Sequence, residues 1–313
     1  MSTADDTVQR IRERVKSLGE GSWLLAVSGG VDSMVLLDAA AGVIDRRRLA
    51  VATFDHGTGA WATSAAALVA SQALQRGLCC VSGCAGTVGR SESEWRTQRW
   101  RFLRETARDL GAPIVTAHTA DDQIETFVIR ELRGAGPRGL AGLAARSSVV
   151  RPLLGTFRSE IVRYAEVAGV EYASDPSNQD RRHLRNRVRL DLLPALERAS
   201  PGFSTSILAV AEKASTWRAR MEAIALTFPM MTESAQIHSF DRGSLRSLDT
   251  GELRCLWPAL AARAGVILDR RGTQRLAEFT IEGATGQQIQ LAGGIRVHMQ
   301  RRAITFSSDI ANG

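Results

Sequence analysis

Apolar runs recur through the first half of the chain, and a helix-like pattern follows each one. The runs are apolar at consecutive positions, without polar residues in alternation, and they span 22–28, 49–55, 78–83, 113–118 and 147–153. Consecutive apolar positions are typical of strands that helices cover on both faces. The alternation of such strands with helices predicts an α/β fold with a doubly wound parallel sheet of the Rossmann type.

The pattern changes in the second half of the chain. From about residue 185 to about residue 265 only helical periodicity is visible, and the final "TGQQIQLAGGIRVHMQRRAITF" holds two strand-like runs on either side of Gly293 and Gly294. Two runs joined through glycines predict a β-hairpin. We expect an N-terminal helical segment (1–20), a main α/β domain (21–197) and a smaller, mainly helical domain that ends in the hairpin (198–313).

Composition narrows the class of protein. The chain has 313 residues, is 44% hydrophobic and has a net charge of +7, which favours a polyanionic partner. It contains no run of about eighteen apolar residues and no apolar segment near its start, so we expect a cytoplasmic protein without a membrane span. The four cysteines lack the spacing of a metal site. They are Cys79, Cys80, Cys84 and Cys255.

The segment "SGGVDS" directly follows the first apolar run and precedes a helix. Glycines allow a tight turn there, and the backbone N–H groups of such a turn and of the following helix form a cradle for anions. The candidate phosphate-binding residues are Ser28, Gly29, Gly30, Val31, Asp32 and Ser33. No lysine follows the glycines, which excludes a Walker A loop. Since a carboxylate repels phosphate unless a cation lies between them, Asp32 is either a magnesium ligand or a helix cap.

Acidic residues open the helix that is predicted after the fourth apolar run. In "AHTADDQIETF", Asp122 and Glu125 are three residues apart and share one helical face, where they could hold an ammonium group or a magnesium ion. The helix dipole favours acids in the first turn of any helix, which is the ordinary explanation. His118, at the strand end, is a candidate for a supporting role.

Arginines cluster in three other segments. "RGAGPRGLAGL" places two arginines in a glycine-rich loop, and "RRHLRNRVR" places five within nine residues, a density that favours binding to a phosphate backbone. The candidate RNA contacts are Arg133, Arg138, Arg181, Arg185, Arg187 and Arg189. In "ESEWRTQRWRFLRE", Arg96, Trp100 and Arg104 recur at helical spacing; this group either binds a nucleotide or RNA by charge and stacking or belongs to the core.

The hexamer "SGGVDS" resembles the pyrophosphate loop of the N-type ATP pyrophosphatase superfamily. Together with "AHTADDQIET", "RGAGPRGLAGL", "RPLLGTFRSEI" and "DPSNQDRRHLRNRVR", it appears in the order seen in bacterial tRNA(Ile)-lysidine synthases. The resemblance implies an adenine nucleotide alpha hydrolase-like fold. It also implies an AMP-forming ligase that joins L-lysine to C2 of the wobble cytidine of isoleucine tRNA with a CAU anticodon, through an adenylated cytidine, and releases pyrophosphate.

The resemblance also implies residue roles. Residues 28–33 would bind ATP with Mg²⁺ at Asp32, Asp122 and Glu125 would bind lysine, and Arg96 and Arg99 would contact substrate; Asp32, Arg96, Asp122 and Glu125 are the implied catalytic residues. The C-terminal domain would contact tRNA. The segments "DHGTGAWATS" and "EWRTQRW" depart from the family pattern. The alternatives are a tRNA thiolase, for which a CxxC pair is missing, a small-molecule amidating synthetase and a non-catalytic nucleotide- or RNA-binding module.

Overall fold

A computed structural model describes residues 3–57, 59–85, 92–175, 179–234 and 237–308. The chain forms two compact units, one of Met1–Thr126 with Ser147–Leu208 and the other of Phe127–Arg146 with Ala209–Gly313. The domain boundaries after residues 20 and 197 stay predictions. Among the helices of the described residues, none combines the length and apolar character that a membrane crossing requires.

The first unit is built on a parallel sheet. Its strands are β1 (Trp23–Ala26), β2 (Leu49–Asp55), β3 (Cys79–Cys84), β4 (Ile114–Thr116) and β5 (Val149–Val150). They lie in the order β3-β2-β1-β4-β5, and each neighbouring pair is parallel. The predicted doubly wound sheet is confirmed, although the last strand is shorter than its apolar run.

Helices of the described residues follow in chain order. They are α1 (Thr3–Lys16), α2 (Val31–Val43), α3 (Ala60–Gln75), α4 (Glu92–Asp109), α5 (Ala120–Leu132), α6 (Pro137–Leu140), α7 (Arg158–Ala168), α8 (Leu184–Arg187), α9 (Leu193–Ala199), α10 (Phe203–Leu226), α11 (Arg242–Arg246), α12 (Thr250–Arg263) and α13 (Arg270–Glu282). A π-helical turn, Val188–Leu192, connects α8 to α9.

Neighbouring residues of β1 fill different cores. Leu25 packs in a cluster with α1, α2, α3 and α7, which includes Ile11 and Tyr164, whereas Leu24 packs in a separate cluster with Leu103 of α4. Leu24 and Leu25 are both 0% exposed. Because side chains of a strand alternate between its faces, a strand buried on both sides is apolar at every position. That is why the run shows no alternation.

The second unit contains an antiparallel sheet. Its strands are β6 (Met230–Ser234), β7 (Ile237–Asp241), β8 (Gln288–Gln290), β9 (Ile295–Met299) and β10 (Ala303–Ser308), in the order β6-β7-β10-β9-β8. The β8–β9 pair confirms the hairpin, with Gly293 and Gly294 at φ values of 75° and 72°.

The expectation of helix alone between about 185 and 265 is wrong, because β6 and β7 lie in that range. β7 is held by β10, more than sixty positions later along the chain. A local hydrophobic period does not reveal such a distant pairing. The core of this unit surrounds Trp257, whose Nε1 donates to Thr280 Oγ1 at 2.9 Å in the buried interior.

Candidate functional site: a phosphate loop beside an acidic helix

The candidate phosphate loop follows β1, next to the end of β4, where the strand order reverses. Open α/β sheets bind ligands in the crevice at this switch point. Gly29 has φ +89°, and a Cβ there would come within 3.0 Å of the Cβ and carbonyl oxygen of Ala65, so only glycine fits. Gly30 is the N-cap of α2 and supplies no capping side chain. The first N–H groups of α2 therefore keep no side-chain acceptor and can face an anion.

The two serines of the loop have different roles. Ser33 is buried; its hydroxyl donates to the Gly30 carbonyl at 2.8 Å and accepts from the Ser28 N–H at 3.2 Å. Ser28 is exposed, with its hydroxyl 3.3 Å from that of Ser33. Ser33 thus holds the turn in shape, while Ser28 lies at its surface. Ala173 N–H also donates to the Gly29 carbonyl at 2.9 Å, which fixes the turn from the other side.

Asp32 does not cap the helix. Its Oδ2 accepts from Arg158 Nη1 at 3.2 Å, and its buried Oδ1 has no hydrogen-bond partner. Burial raises the pKa of Asp32 to about 6, Arg158 lowers it and Asp122 raises it. A buried carboxylate oxygen without a partner, beside a phosphate cradle, fits the oxygen ligands that Mg²⁺ takes up together with phosphates. The described residues contain no cluster of three or more His, Cys, Asp or Glu side chains that could hold a metal ion.

The acids of α5 lie beside the loop. Asp122 Oδ2 accepts from the N–H of Thr119 at 3.0 Å and from its hydroxyl at 3.2 Å, and the Asp122 N–H lies 3.4 Å from that hydroxyl oxygen. Thr119 and Asp122 thus form a capping box at the start of α5. Asp121 Oδ2 accepts from the backbone N–H of Arg158 at 2.7 Å, which joins the start of α5 to the start of α7. The helix that was predicted near Asp121 is confirmed. Asp122 lies within electrostatic range of Asp32 and of Glu125, since its charge raises the pKa of both.

Glu125 is 1% exposed and is paired with two arginines. Arg189 Nε and Nη2 donate to its two oxygens at 2.6 and 3.2 Å, and Arg185 Nε lies 3.2 Å from Oε2. Burial raises the pKa of Glu125, and the hydrogen bond from Arg189 opposes that rise. Arg189 belongs to the π-helical turn, a feature that is often found at functional sites. In this conformation, another cation reaching Glu125 would take the place of a guanidinium.

The other arginines predicted to contact RNA lie in various surroundings. Arg181 forms a surface pair with Asp191 at 3.2 Å, and Arg187 is exposed. Within the second unit, Arg133 is exposed and Arg138 donates to Glu222 at 2.8 Å.

The arginines of α4 flank an aromatic ring. The Cζ atoms of Arg96 and Arg104 lie 6.0 and 5.6 Å from the Trp100 ring centroid, and Trp100 packs against the cluster that contains Leu24. Trp100 is therefore both a core residue and a cation–π partner. Arg96 is exposed and lies near Arg99, whose pKa is lowered by burial and by the Arg96 charge.

Sequence reasoning gave no role to several residues that the structure brings to this end of the sheet. Arg158 forms an ion pair with Asp32, Arg151 directly follows β5, and His56 directly follows β2. His118, the candidate for a supporting role, also lies at this end: its Nδ1 lies 2.7 Å from the Thr116 hydroxyl, and burial lowers its pKa to about 4 although Asp122 raises it. Arg151 and Arg158 both lie in "RPLLGTFRSEI", so that motif was a signal for them.

Comparisons with known proteins agree with this geometry. A family model described as PP-loop domain matches residues 3–196. The tRNA(Ile)-lysidine synthase of Novosphingobium aromaticivorans is 42% identical over 63% of this chain and 64% of its own length. That of Salinispora tropica is 41% identical over 57% of each. The chain thus spans less than two thirds of these two relatives.

A third relative is covered more fully. The tRNA(Ile)-lysidine synthase of Parasynechococcus marenigrum is 31% identical over 88% of this chain and 86% of its own length. Among solved structures, the U34-tRNA thiolase NcsA from Methanococcus maripaludis superposes with a TM-score of 0.56 at 16% identity, over 68% of this chain and 80% of that one, which supports the fold. The chain therefore belongs to the PP-loop domain proteins and, among them, to the tRNA(Ile)-lysidine synthase family.

Proposed function

We propose that this protein ligates L-lysine to C2 of the wobble cytidine of isoleucine tRNA with a CAU anticodon, at the expense of ATP. The cytosine O2 attacks the α-phosphorus and pyrophosphate leaves; the lysine ε-amine then attacks C2, loses a proton and releases AMP. The observation that carries the proposal is the grouping of Asp32, Asp122 and Glu125 beside a phosphate loop. The reaction is assigned to the cytoplasm, where these substrates meet.

The loop would hold the phosphates of ATP. Its N–H groups and the Ser28 hydroxyl are neutral donors that can be aimed at phosphate oxygens before the reaction begins, so no reorganisation is needed as charge develops. Arg158 lies at the same place and can exchange its contact with Asp32 for one with a phosphate. Mg²⁺ held at Asp32 would neutralise charge on the phosphates.

The acids of α5 would hold the lysine. Glu125 already pairs with two guanidinium groups, which supports the proposal that it binds a cation. Asp122 is half-buried and lies close enough to raise the pKa of Glu125. These two carboxylates would stabilise the positive charge of an ammonium group placed between them until its proton is removed.

Asp32 is our candidate for the base that removes this proton. A carboxylate with a pKa of about 6 is mostly ionised at neutral pH and is still more basic than an ordinary aspartate. Asp32 is also our candidate magnesium ligand. Measuring how activity depends on Mg²⁺ concentration separates the role of base from the role of metal ligand.

A tRNA thiolase shares this fold and is the rival within the superfamily. Its chemistry would need a reactive cysteine. Cys79, Cys80 and Cys84 lie on β3, the edge strand of the parallel sheet. Burial raises the pKa of Cys80, which opposes formation of the reactive thiolate.

The test uses ATP, radiolabelled lysine and isoleucine tRNA transcripts with cytidine or uridine at the wobble position. Lysine should enter only the cytidine transcript, and AMP and pyrophosphate should appear in equal amounts. Release of ADP, or incorporation into the uridine transcript, would refute the proposal.

Variants locate the lysine site. Asp122→Asn and Glu125→Gln should raise the KM for lysine at least tenfold and change ATP affinity less than twofold. Glu131→Gln, an exposed position on the same helix, is the matched control and should change neither. An equal loss of lysine and ATP affinity would assign the two acids to the metal instead.

A further inference from the structure

A second cationic group lies apart from the residues assigned above to ATP and lysine. We call it the α4–β5 cluster: Arg96 and Arg99 on α4, Arg151 after β5 and His56 after β2. The charge of Arg96 lowers the pKa of Arg99 and Arg151 beyond the effect of burial, and that of Arg99 lowers the pKa of His56 in the same way. These charges are therefore within electrostatic range although they come from three separate segments. The His56 ring also lies 6.5 Å from the ring of Trp95, on the same helix as Arg96 and Arg99.

Nitrogen atoms in this cluster are buried without partners. Arg99 Nε, Arg151 Nε and His56 Nδ1 have no exposed surface and make no hydrogen bond. An unpaired buried polar group costs about 1–3 kcal/mol, so native proteins leave few of them. Arg151 does use Nη1, which donates to Ser147 Oγ at 2.8 Å and to the Val149 carbonyl at 3.1 Å. The guanidinium is thus held in place through Nη1 while its buried Nε has no acceptor within the described residues.

The cluster also lacks a counter-ion. Throughout the part of the chain that the structure describes, no carboxylate lies within ion-pair distance of Arg96, Arg99 or Arg151. Asp55 lies beside His56, but its oxygens already accept from Gly57 N–H and the Thr63 hydroxyl. Partly buried positive charges without a neutralising partner favour an anionic ligand.

The position of the cluster separates it from the phosphate loop. The pKa of Asp32 is lowered by the charges of Arg158 and Arg189. The pKa of His118 is lowered by a different set of charges, those of Arg151, Arg99 and Arg185. Asp122 acts on both Asp32 and His118, so it lies near both. If the triphosphate of ATP binds at the loop, the α4–β5 cluster can bind a different phosphate group.

An aromatic face adjoins the cluster. Arg96 contributes to the cluster and also lies over Trp100, which Arg104 flanks as well. Alternating arginine and aromatic groups suit a single strand, because the charges follow its backbone and the ring can stack on a base. Neither ATP nor lysine requires such an extension.

We propose that Arg99, Arg151 and Arg96, with His56, bind a phosphodiester group of the RNA strand next to the nucleotide that reacts. The identity of this strand rests on the proposed function. The cluster would position the extruded nucleotide between the phosphate loop and the acids of α5.

The test measures binding of a fluorescently labelled anticodon stem-loop RNA at several salt concentrations, and binding of a non-hydrolysable ATP analogue in parallel. Arg99→Gln should weaken RNA binding roughly five- to twentyfold and reduce the slope of log affinity against log salt by about one. ATP-analogue affinity should change less than twofold. Arg101→Gln, an exposed position on the same helix, is the matched control and should keep the wild-type slope.

Two further variants guard against a folding defect. Arg99→Lys keeps the charge and should restore the slope. If circular dichroism shows that Arg99→Gln does not fold, Arg151→Gln replaces it with the same expected result. An unchanged slope in the folded variant would overturn the proposal. Weakened binding of ATP analogue or pyrophosphate with intact RNA binding would also overturn it and assign the cluster to nucleotide phosphates.

The two proposals fail separately. If the wild-type protein ligates lysine but Arg99→Gln keeps the wild-type salt slope, the RNA phosphate site is wrong and the proposed function stands. If the wild-type protein incorporates no lysine but its RNA binding depends on Arg99, the proposed function is wrong and the phosphate site stands.

Discussion

The pairing of Glu125 with Arg189 should be a measurable source of stability, and Arg189→Met removes it with little change in side-chain volume. Glu125 is 1% exposed and receives two hydrogen bonds from Arg189. Removing one partner of a buried ion pair costs about 3–5 kcal/mol, because the other charge stays buried. Arg185 remains within 3.2 Å and the Arg189 side chain is 25% exposed, so we expect a smaller loss of roughly 2–3 kcal/mol.

The loss should depend on pH. Burial already raises the pKa of folded Glu125 above its ordinary value of 4.5, and loss of Arg189 raises it further. The folded variant then holds the proton more tightly than the unfolded chain does. Its deficit should therefore grow as the pH rises from about 4.5 through the folded pKa, and shrink as the pH falls.

Urea unfolding followed by far-UV circular dichroism at pH 5 and pH 8 measures this effect. Arg181→Met is the matched control, since Arg181 and Asp191 form an exposed pair that should contribute less than about 1 kcal/mol. The double variant Arg189→Met with Glu125→Gln should recover most of the loss at pH 8. A deficit below about 0.5 kcal/mol at pH 8, or an equal deficit at both pH values, would refute the reasoning.

Four further predictions concern Asp32, Gly29 and Thr280. Asp32 has a folded pKa of about 6 against 3.8, so its charge destabilises the fold above about pH 6 and has no effect well below 3.8. Asp32→Asn should therefore raise the unfolding free energy by roughly 1–3 kcal/mol at pH 8 and leave it unchanged at pH 3, and equal effects at both pH values would contradict this. In lysine ligation by the wild type, activity should fall as the pH drops through about 6. Gly29→Ala should lower the melting temperature, because residue 29 has φ +89° and a Cβ would lie 3.0 Å from its neighbours, whereas Gly30→Ala, at φ −73°, should not; similar melting temperatures would disprove the steric argument. Thr280→Val should cost about 1–3 kcal/mol, because it leaves Trp257 Nε1 buried without an acceptor, and a calorimetric scan with no loss would show that the hydrogen bond contributes nothing.

Local pattern alone determined a large part of this protein. The continuous apolar run of β1 reflects burial on both faces of the sheet. The glycines of "SGGVDS" predict the tight turn, because only glycine tolerates the backbone conformation of residue 29. The start of α5 is equally local, since the Thr119 N–H donates to Asp122 Oδ2 three positions later. The sequence pattern that predicts each of these features occupies only a few consecutive positions.

Only the tertiary structure decided which charges meet. Arg189 is 64 positions from Glu125, and Arg158 is 126 positions from Asp32. From composition alone, both arginines count simply as positive charges. In the folded chain, Arg189 neutralises the buried Glu125 and Arg158 contacts Asp32 of the loop. The strands β6 and β7 were missed for the same reason, because their sheet is completed by β10 near the end of the chain. Long-range pairs depend on how the chain folds back on itself, and hydrophobic periodicity carries no information about that.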